Sequence, residues 1–198
     1  MSMHTNRIIV VAFTTLDGVV EDPDGSWGAS FGGWGFRFGP QVFAGDKFQL
    51  ASSLETGSIL FGRSTWQLFA QRWPSRTDDW ADVMNGARKR VASRTLGSVD
   101  KWSNSAVLQG DLIEAAVRLR ADGDVVVIGS TCIAHQLAAN DLVDEYRLLV
   151  LPSVVGAGER MFNGTPAALQ LTSADVRDPG LLVRYDVIHD EAVELAAG

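Results

Sequence analysis

The sequence predicts a single α/β domain over residues 1–198: one mixed β-sheet flanked by helices, with an antiparallel C-terminal part. Three observations predict it. Val125-Val126-Val127-Ile128 is an unbroken β-branched run, as a strand covered on both faces requires. The next segment changes period, with Ile133/Leu137 and Ala134/Ala138 at helical i,i+4 spacing. The same order of strand, glycine and helix start occurs at Ser58-Ile59-Leu60-Phe61, Gly62-Arg63-Ser64-Thr65 and the helix carrying Trp66, Leu68 and Phe69. The C-terminal third is rich in strands without helices. At 181–187, Leu181, Val183, Tyr185 and Val187 face one way, and Arg184 and Asp186 the other.

In chain order, residues 7–13 are apolar on both alternating sets and read as a central strand. Thr14-Thr15-Leu16-Asp17-Gly18 follows, then a Gly- and Trp-rich segment through Pro40. Its Trp27, Phe31, Trp34, Phe36 and Phe38 are too many aromatics to leave in water. It reads as a ligand-covering loop or as an irregular surface loop. Phe43, Lys47, Leu50 and Leu54 recur at i,i+4,i+7,i+11 and predict a helix over 41–54, ended by Gly57. Arg72 to Asp82 reads as a polar loop broken by Pro74. Short strands are expected at 89–93 and 104–108, and Asp111-Leu112-Ile113-Glu114 is a capping box leading a helix with Leu112, Ala116 and Leu119 on one face. Tyr146 to Leu151 is a further buried strand, stopped by Pro152, with Gly156 and Gly158 in the loop after it.

Composition narrows the function. At 198 residues the chain can build one substantial core, and a formal charge of −7 with pI near 4.9 argues against a general nucleic-acid or anionic-membrane partner. Cys132 is the only cysteine, so neither an intrachain disulfide nor a thiolate metal cluster is available; on its Ala/Ile-rich helix it reads as a buried small hydrophobe. His4, His135 and His189 are far apart and read as surface histidines, so no metal site is expected. Met1 to Arg7 has no signal-peptide body, and the apolar run after it is too short for a membrane span, so the expectation is a cytoplasmic protein.

The chemistry collects at the two glycine turns. A strand handing over to a helix exposes free amides and the positive end of a helix dipole, which suit a phosphate. Gly129-Ser130 reads either that way or as an ordinary turn plus N-cap; Gly62-Arg63-Ser64-Thr65 reads as a phosphate grip or as a plain cap with a surface arginine. If their strands are parallel neighbours, both turns open on one crevice at the C-terminal edge of the sheet, and two helix starts suit a pyrophosphate. Ser93-Arg94-Thr95 also follows a strand and offers a second arginine for an extra phosphate. Asp17 and Asp46 are the candidate acids: in apolar surroundings desolvation would raise either pKa and allow proton donation beside a hydride transfer. The plainer readings are a turn residue for Asp17 and a helix N-terminal charge for Asp46. The usual dinucleotide and nucleotide-hydrolase glycine fingerprints, a serine-nucleophile elbow and a Cys/His pair are all missing from the sequence.

Leu16-Asp17-Gly18, Ile59-Leu60-Phe61-Gly62-Arg63-Ser64-Thr65-Trp66, Val91-Ala92-Ser93-Arg94-Thr95-Leu96 and Val127-Ile128-Gly129-Ser130 fall in an order that resembles the dihydrofolate reductase superfamily. Leu142-Val143-Asp144-Glu145-Tyr146 and the run from Leu151 to Phe162 are similar to its branch typified by the reductase domain of bacterial riboflavin biosynthesis. The resemblance implies a three-layer dihydrofolate reductase-like fold, NADPH as hydride donor, and a homodimer. It implies that Gly62, Arg63, Ser64 and Thr65 grip cofactor phosphates, and that Arg63, Ser93 and Arg94 surround the 2′-phosphate. Gly129, Ser130, Thr131 and Cys132 would contact the pyrophosphate and ribose, and Ala12 and Phe13 would border the nicotinamide. Asp17 would lie near the substrate, and Asp46 shares only the spacing of the acidic substrate-binding residue of true dihydrofolate reductases; Thr15 and Trp27 are further substrate-binding candidates, not carried by the resemblance.

Three departures stand out, the first being a Trp-rich loop at 27–38 that matches no pattern of the family. The superfamily's Gly-Gly with its cis peptide is Gly129-Ser130 here, and no zinc-deaminase pattern lies within these 198 residues. The expected function is an NADPH-dependent reductase. It would pass a hydride to a C=N or C=O carbon of a small heterocyclic or phosphoribosyl-type substrate, such as 5-amino-6-(5-phosphoribosylamino)uracil. The alternatives are dihydrofolate reduction and a non-catalytic nucleotide-binding or interaction protein. The last gains if Trp27, Trp34 or Phe36 fills the nicotinamide pocket.

Overall fold

Eight strands form one sheet in this computed structural model, which describes residues 5–189. The strands are β1 (Ile8–Thr15), β2 (Ser58–Gly62), β3 (Arg88–Ala92), β4 (Ser105–Val107), β5 (Val125–Ile128), β6 (Glu145–Leu151), β7 (Ala168–Arg177) and β8 (Gly180–Ile188). Their order across the sheet is β4-β3-β2-β5-β1-β6-β8-β7. The first six run parallel, and the β7–β8 hairpin joins antiparallel along β6. The mixed sheet with an antiparallel C-terminal end is the architecture the sequence predicts.

The helices are α1 (Ala51–Thr56), α2 (Arg63–Arg72), α3 (Asp79–Gly86), α4 (Leu112–Asp122) and α5 (Thr131–Ala139). Strand alternation divides the core between two layers. Ile9, Val11, Phe61 and Val126 pack with Leu54, Trp66, Ala70 and Met84 of α1–α3, whereas Ile8, Val10, Leu60 and Val127 pack with Ala116, Ile133 and Leu137 of α4 and α5. Among the described residues, no helix is long and apolar enough to cross a membrane.

Two predicted elements need correction. The helix expected over 41–54 does not form: short 3-10 turns at Trp34–Phe38 and Pro40–Phe43 lead to α1, which begins only at Ala51. Gly45 (φ 70°) and Gln49 (φ 55°) are both left-handed and interrupt the helical path, although the apolar spacing is right. The loop expected from Arg72 to Asp82 gives way to α3. Asp78 caps it by accepting from the Ala81 amide at 3.1 Å, and it buries Ala81 and Met84 at i,i+3. With only two turns and three aspartates nearby, its periodicity is too brief to read. Gly129–Ser130 is a trans peptide. Cys132 is exposed rather than buried. His135 has its ring largely buried, at 15 % side-chain exposure, with Nε2 donating to the carbonyls of Arg160 (3.1 Å) and Met161 (2.9 Å). His4 lies outside the described residues.

One buried cation holds the β3–β4 corner. Lys89 is fully buried, and its Nζ donates to the carbonyls of Asn85 (2.8 Å), Ala87 (2.8 Å) and Ser103 (2.9 Å) while lying 4.5 Å from the Trp102 ring centroid. Burial pushes its pKa down from 10.5 to about 8. The unfolded chain therefore binds the extra proton across that window, so this residue's contribution to stability rises as pH increases from about 8 towards 10.5. Replacing Lys89 with methionine leaves three buried carbonyls without a donor and costs about 2–4 kcal/mol of stability at neutral pH. Urea unfolding of wild type and variant between neutral pH and pH 10 measures both the loss and its slope.

Candidate functional site

The two glycine turns meet. Parallel pairing of β2 with β5 places the N-terminus of α2 beside that of α5, and a chain of hydrogen bonds ties the junctions together. The Gly62 amide donates to Ser130 Oγ at 2.8 Å, Ser130 Oγ donates to Thr65 Oγ1 at 3.2 Å, and Thr65 Oγ1 donates to the Gly129 carbonyl at 2.8 Å. Gly129 takes φ +62°, and a Cβ there would approach Thr65 Cγ2 to 3.1 Å, so a side chain would be both strained and crowded. The hydroxyls of Thr65 and Ser130 therefore serve the junction itself. The contacts available to a ligand are the neighbouring first-turn amides.

Capping separates these two helices from α3 and α4. Asp78 caps α3, and Asp111 caps α4 by accepting from the Ile113 (2.8 Å) and Glu114 (3.2 Å) amides. Neither α2 nor α5 has a side-chain cap. Their N-terminal residues Arg63, Ser64, Thr131 and Cys132 line one crevice of about 560 Å³. It runs along the C-terminal edges of β2, β5 and β1, and Ala12 and Phe13 of β1 form part of its floor. Thus ten of the predicted cofactor contacts, counting Gly62, Thr65, Gly129 and Ser130, converge.

Ser93 and Arg94 lie outside the crevice lining but next to it. Arg63 Nη1 donates to Thr95 Oγ1 at 2.7 Å, and Ser93 Oγ accepts from the Thr95 (3.2 Å) and Leu96 (3.0 Å) amides, shaping that loop. Arg94 is exposed and, among the described residues, makes no ion pair.

The predicted acids do not join the crevice. Asp46, displaced from any long helix, accepts from the Leu50 amide at 2.8 and 2.7 Å and from the Ala51 amide at 2.9 Å, which fastens the entry to α1. Asp17 accepts from Thr15 Oγ1 (2.6 Å) and from the amides of Gly156 (2.7 Å) and Val155 (3.3 Å). The Thr15 hydroxyl, followed by the Gly156 amide, holds its carboxyl down at about 2, opposite to the rise that desolvation alone would cause. An acid that stays ionised cannot donate a proton at neutral pH. Thr15 shares the same turn, accepting from the Val19 amide at 2.9 Å, and also lies outside the lining.

Of the covering loop, Trp27 lines the crevice and is 54 % exposed. Trp34 is fully buried, its Nε1 donating to the Glu21 carbonyl at 2.9 Å, and Phe36 packs edge-on against Phe43 at 4.8 Å; neither is part of the lining.

Sequence reasoning missed several lining residues. Phe43 and Phe48 pack edge-on against Phe13 at 4.8 and 5.0 Å, forming an aromatic wall with Leu68 and Phe69 close by. Glu21, Asp22, Asp24 and Glu159 supply carboxylates. Gly158, with φ +111° and Phe31 where its Cβ would lie, marks the contact between the aromatic loop and the loop after β6, which no local sequence pattern announces. Among the described residues, no three His, Cys, Asp or Glu side chains are grouped to hold a metal ion.

The model of the RibD C-terminal domain family matches residues 6–183. The chain belongs to that family. A Bacillus subtilis (strain 168) relative, the uncharacterized protein YyaP, is 25 % identical over 186 residues, covering 89 % of this chain and 90 % of its own. A structure from Shewanella sp. PV-4, provisionally assigned to riboflavin biosynthesis, aligns with TM-score 0.71 at 18 % identity over 92 % of this chain and 99 % of that one. The Thermotoga maritima diaminohydroxyphosphoribosylaminopyrimidine deaminase/5-amino-6-(5-phosphoribosylamino)uracil reductase aligns with TM-score 0.61 at 14 % identity, covering 93 % of this chain but 57 % of the longer enzyme. At such identities the two structures establish the fold, a RibD C-terminal, dihydrofolate reductase-like one.

Two tests bear on the roles assigned within this RibD-type domain. Ser130→Ala removes the link between the junctions and costs about 1–3 kcal/mol in denaturant unfolding. Asp17→Asn weakens the turn rather than any chemical step. The folded pKa of Asp17 lies below its unfolded value of 3.8, so its stabilisation is present above pH 3.8 and is lost as pH falls through about 2. Thermal midpoints of wild type and variant therefore differ at pH 6 and converge towards pH 2.

Proposed function

We propose that this RibD-family domain is an NADPH-dependent reductase that passes a hydride to a C=N or C=O carbon of a small heterocyclic substrate. One observation carries the reading: two uncapped helix N-termini and Arg63 open on a single crevice at the carboxyl ends of parallel strands. The residues fit the cofactor. First-turn amides of α2 and α5 would hold its pyrophosphate. Arg63, with Arg94 on the adjoining loop, would meet a 2′-phosphate, for which a planar donor fork is well suited. Ala12 and Phe13 would border the nicotinamide. NADPH, when bound, would supply the hydride, which carries both electrons of the reduction.

The chain's own contribution is placement. A floor from β1 and an aromatic wall of Phe13, Phe43 and Phe48 favour a flat ring stacked against the cofactor and exclude water from the reacting face. With Asp17 ionised and Asp46 engaged as a cap, neither carboxylate is placed to give the proton, which would come from solvent at the mouth of the crevice, away from the stacked face.

The reading predicts tighter binding of NADPH than of NADH by at least about tenfold. Arg63→Ala and Arg94→Ala each shrink that preference while leaving NADH affinity nearly unchanged. Fluorescence titration of both cofactors against the three proteins measures it, and equal affinities in wild type would sink the assignment. An NADPH-oxidation screen over pterins, pyrimidines and small carbonyl compounds then identifies the acceptor.

A further inference from the structure

We propose that the β1 end of the crevice takes an uncharged or cationic heterocycle and turns away a phosphorylated one. The proposal rests on the reductase reading above and narrows its substrate class. Among the described residues, Arg63 is the one lysine or arginine lining the crevice, and it stands at the β2 end, engaged with the β3 loop.

The other end carries carboxylates. Residues 18–21 and 159–161 pair antiparallel there: Val19 bridges Arg160, the Val20 amide donates to the Glu159 carbonyl at 2.9 Å, and the Met161 amide donates to the Gly18 carbonyl at 3.0 Å. The pairing sets Glu21 next to Glu159, whose amide donates to Glu21 Oε2 at 2.8 Å. Among the described residues, no hydrogen-bond donor engages Oε1 of Glu21 or the carboxylate of Glu159. Glu159 is 48 % exposed, with His135 Nδ1 3.7 Å away as its nearest cationic candidate.

Asp22 adds a third negative charge to this wall, fixed by the amides of Trp27 and Ala29 at 2.9 Å each. Asp24 is balanced by Arg72 at 2.6 Å. Arg160, the arginine closest in sequence, approaches Asp17 at 3.9 Å and does not line the crevice.

A phosphate dianion at this end would face the carboxylates of Glu21 and Glu159, with the buried charge of Asp22 behind them, and Arg63, the lining's one arginine, stands at the other end. An amine or ring N–H in the same place gains charge-assisted hydrogen bonds to Glu21 and Glu159. The discrimination is repulsive in origin, so it depends on charge more than on shape.

A matched pair tests this: 5-amino-6-(5-phosphoribosylamino)uracil and its phosphate-free ribosyl counterpart, whose heterocycles are identical. Calorimetry on the full-length protein, with and without NADPH, should find the phosphate-free compound bound at least about tenfold more tightly. The Glu21→Gln/Glu159→Gln variant keeps the oxygen that accepts the Glu159 amide and should cut the ratio to about threefold or less. Glu159→Gln alone, altering the more exposed group, should fall between. Equal or tighter binding of the phosphorylated compound, binding of neither, or an unchanged ratio in the double variant overturns the proposal. The cofactor titration reports separately on the reductase reading, so the two can fail independently.

Discussion

The hydrogen-bonded chain from the Gly62 amide through Ser130 and Thr65 to the Gly129 carbonyl is the constraint on which the crevice depends. Parallel pairing alone brings the two strand ends within reach; it does not fix how the following helices point. The hydroxyl bridge does. By accepting from one junction and donating to the other, it locks both helix starts to the same edge of the sheet, with their first-turn amides left over. A side-chain cap on either helix would have consumed those amides, as Asp78 and Asp111 do at α3 and α4.

The opposite wall is held by charge rather than by hydroxyls. Arg147 on β6 is buried against Glu145 at 2.7 Å and donates to the carbonyls of Phe48 (3.1 Å) and Gln49 (2.6 Å). Arg7 approaches the same glutamate at 3.2 Å. A buried pair of this kind adds little net stability over well-packed apolar residues, since desolvation offsets most of the attraction. What it provides is direction. The strand fixes the guanidinium, the guanidinium fixes the left-handed bend at Gln49, and the bend turns Phe48 towards Phe13.

How much of this could be read in advance follows from the range of each interaction. The β-branched run at 125–128 and the helical spacing after it are local patterns, and the sheet, its antiparallel end and the convergence of Gly62 with Gly129 followed from them. The segment 41–54 failed for the converse reason. Its apolar spacing is real, because Phe43, Phe48, Leu50 and Leu54 all pack inward, but the path turns left-handed at Gly45 and again at Gln49, whose carbonyl is held by Arg147 from far outside any local window. Glu159 escaped notice likewise: its place in the crevice is set by pairing with 18–21, across almost the whole chain.

The two aspartates show why a carboxylate beside a predicted site is a poor guide to acid chemistry. A proton donor needs its charged form disfavoured, which requires burial without hydrogen-bond donors. Asp17 follows a strand and Asp46 precedes a helix, and both places are rich in unpaired amides. Each carboxylate therefore collects backbone donors, and in Asp17 those donors together with the Thr15 hydroxyl outweigh desolvation. The turns that make such positions attractive to the eye are the turns that keep Asp17 ionised. Under the reductase reading proposed above, hydride transfer in this crevice would rest on placement rather than on an acid, and its acidic groups would be better suited to choosing a substrate than to protonating one.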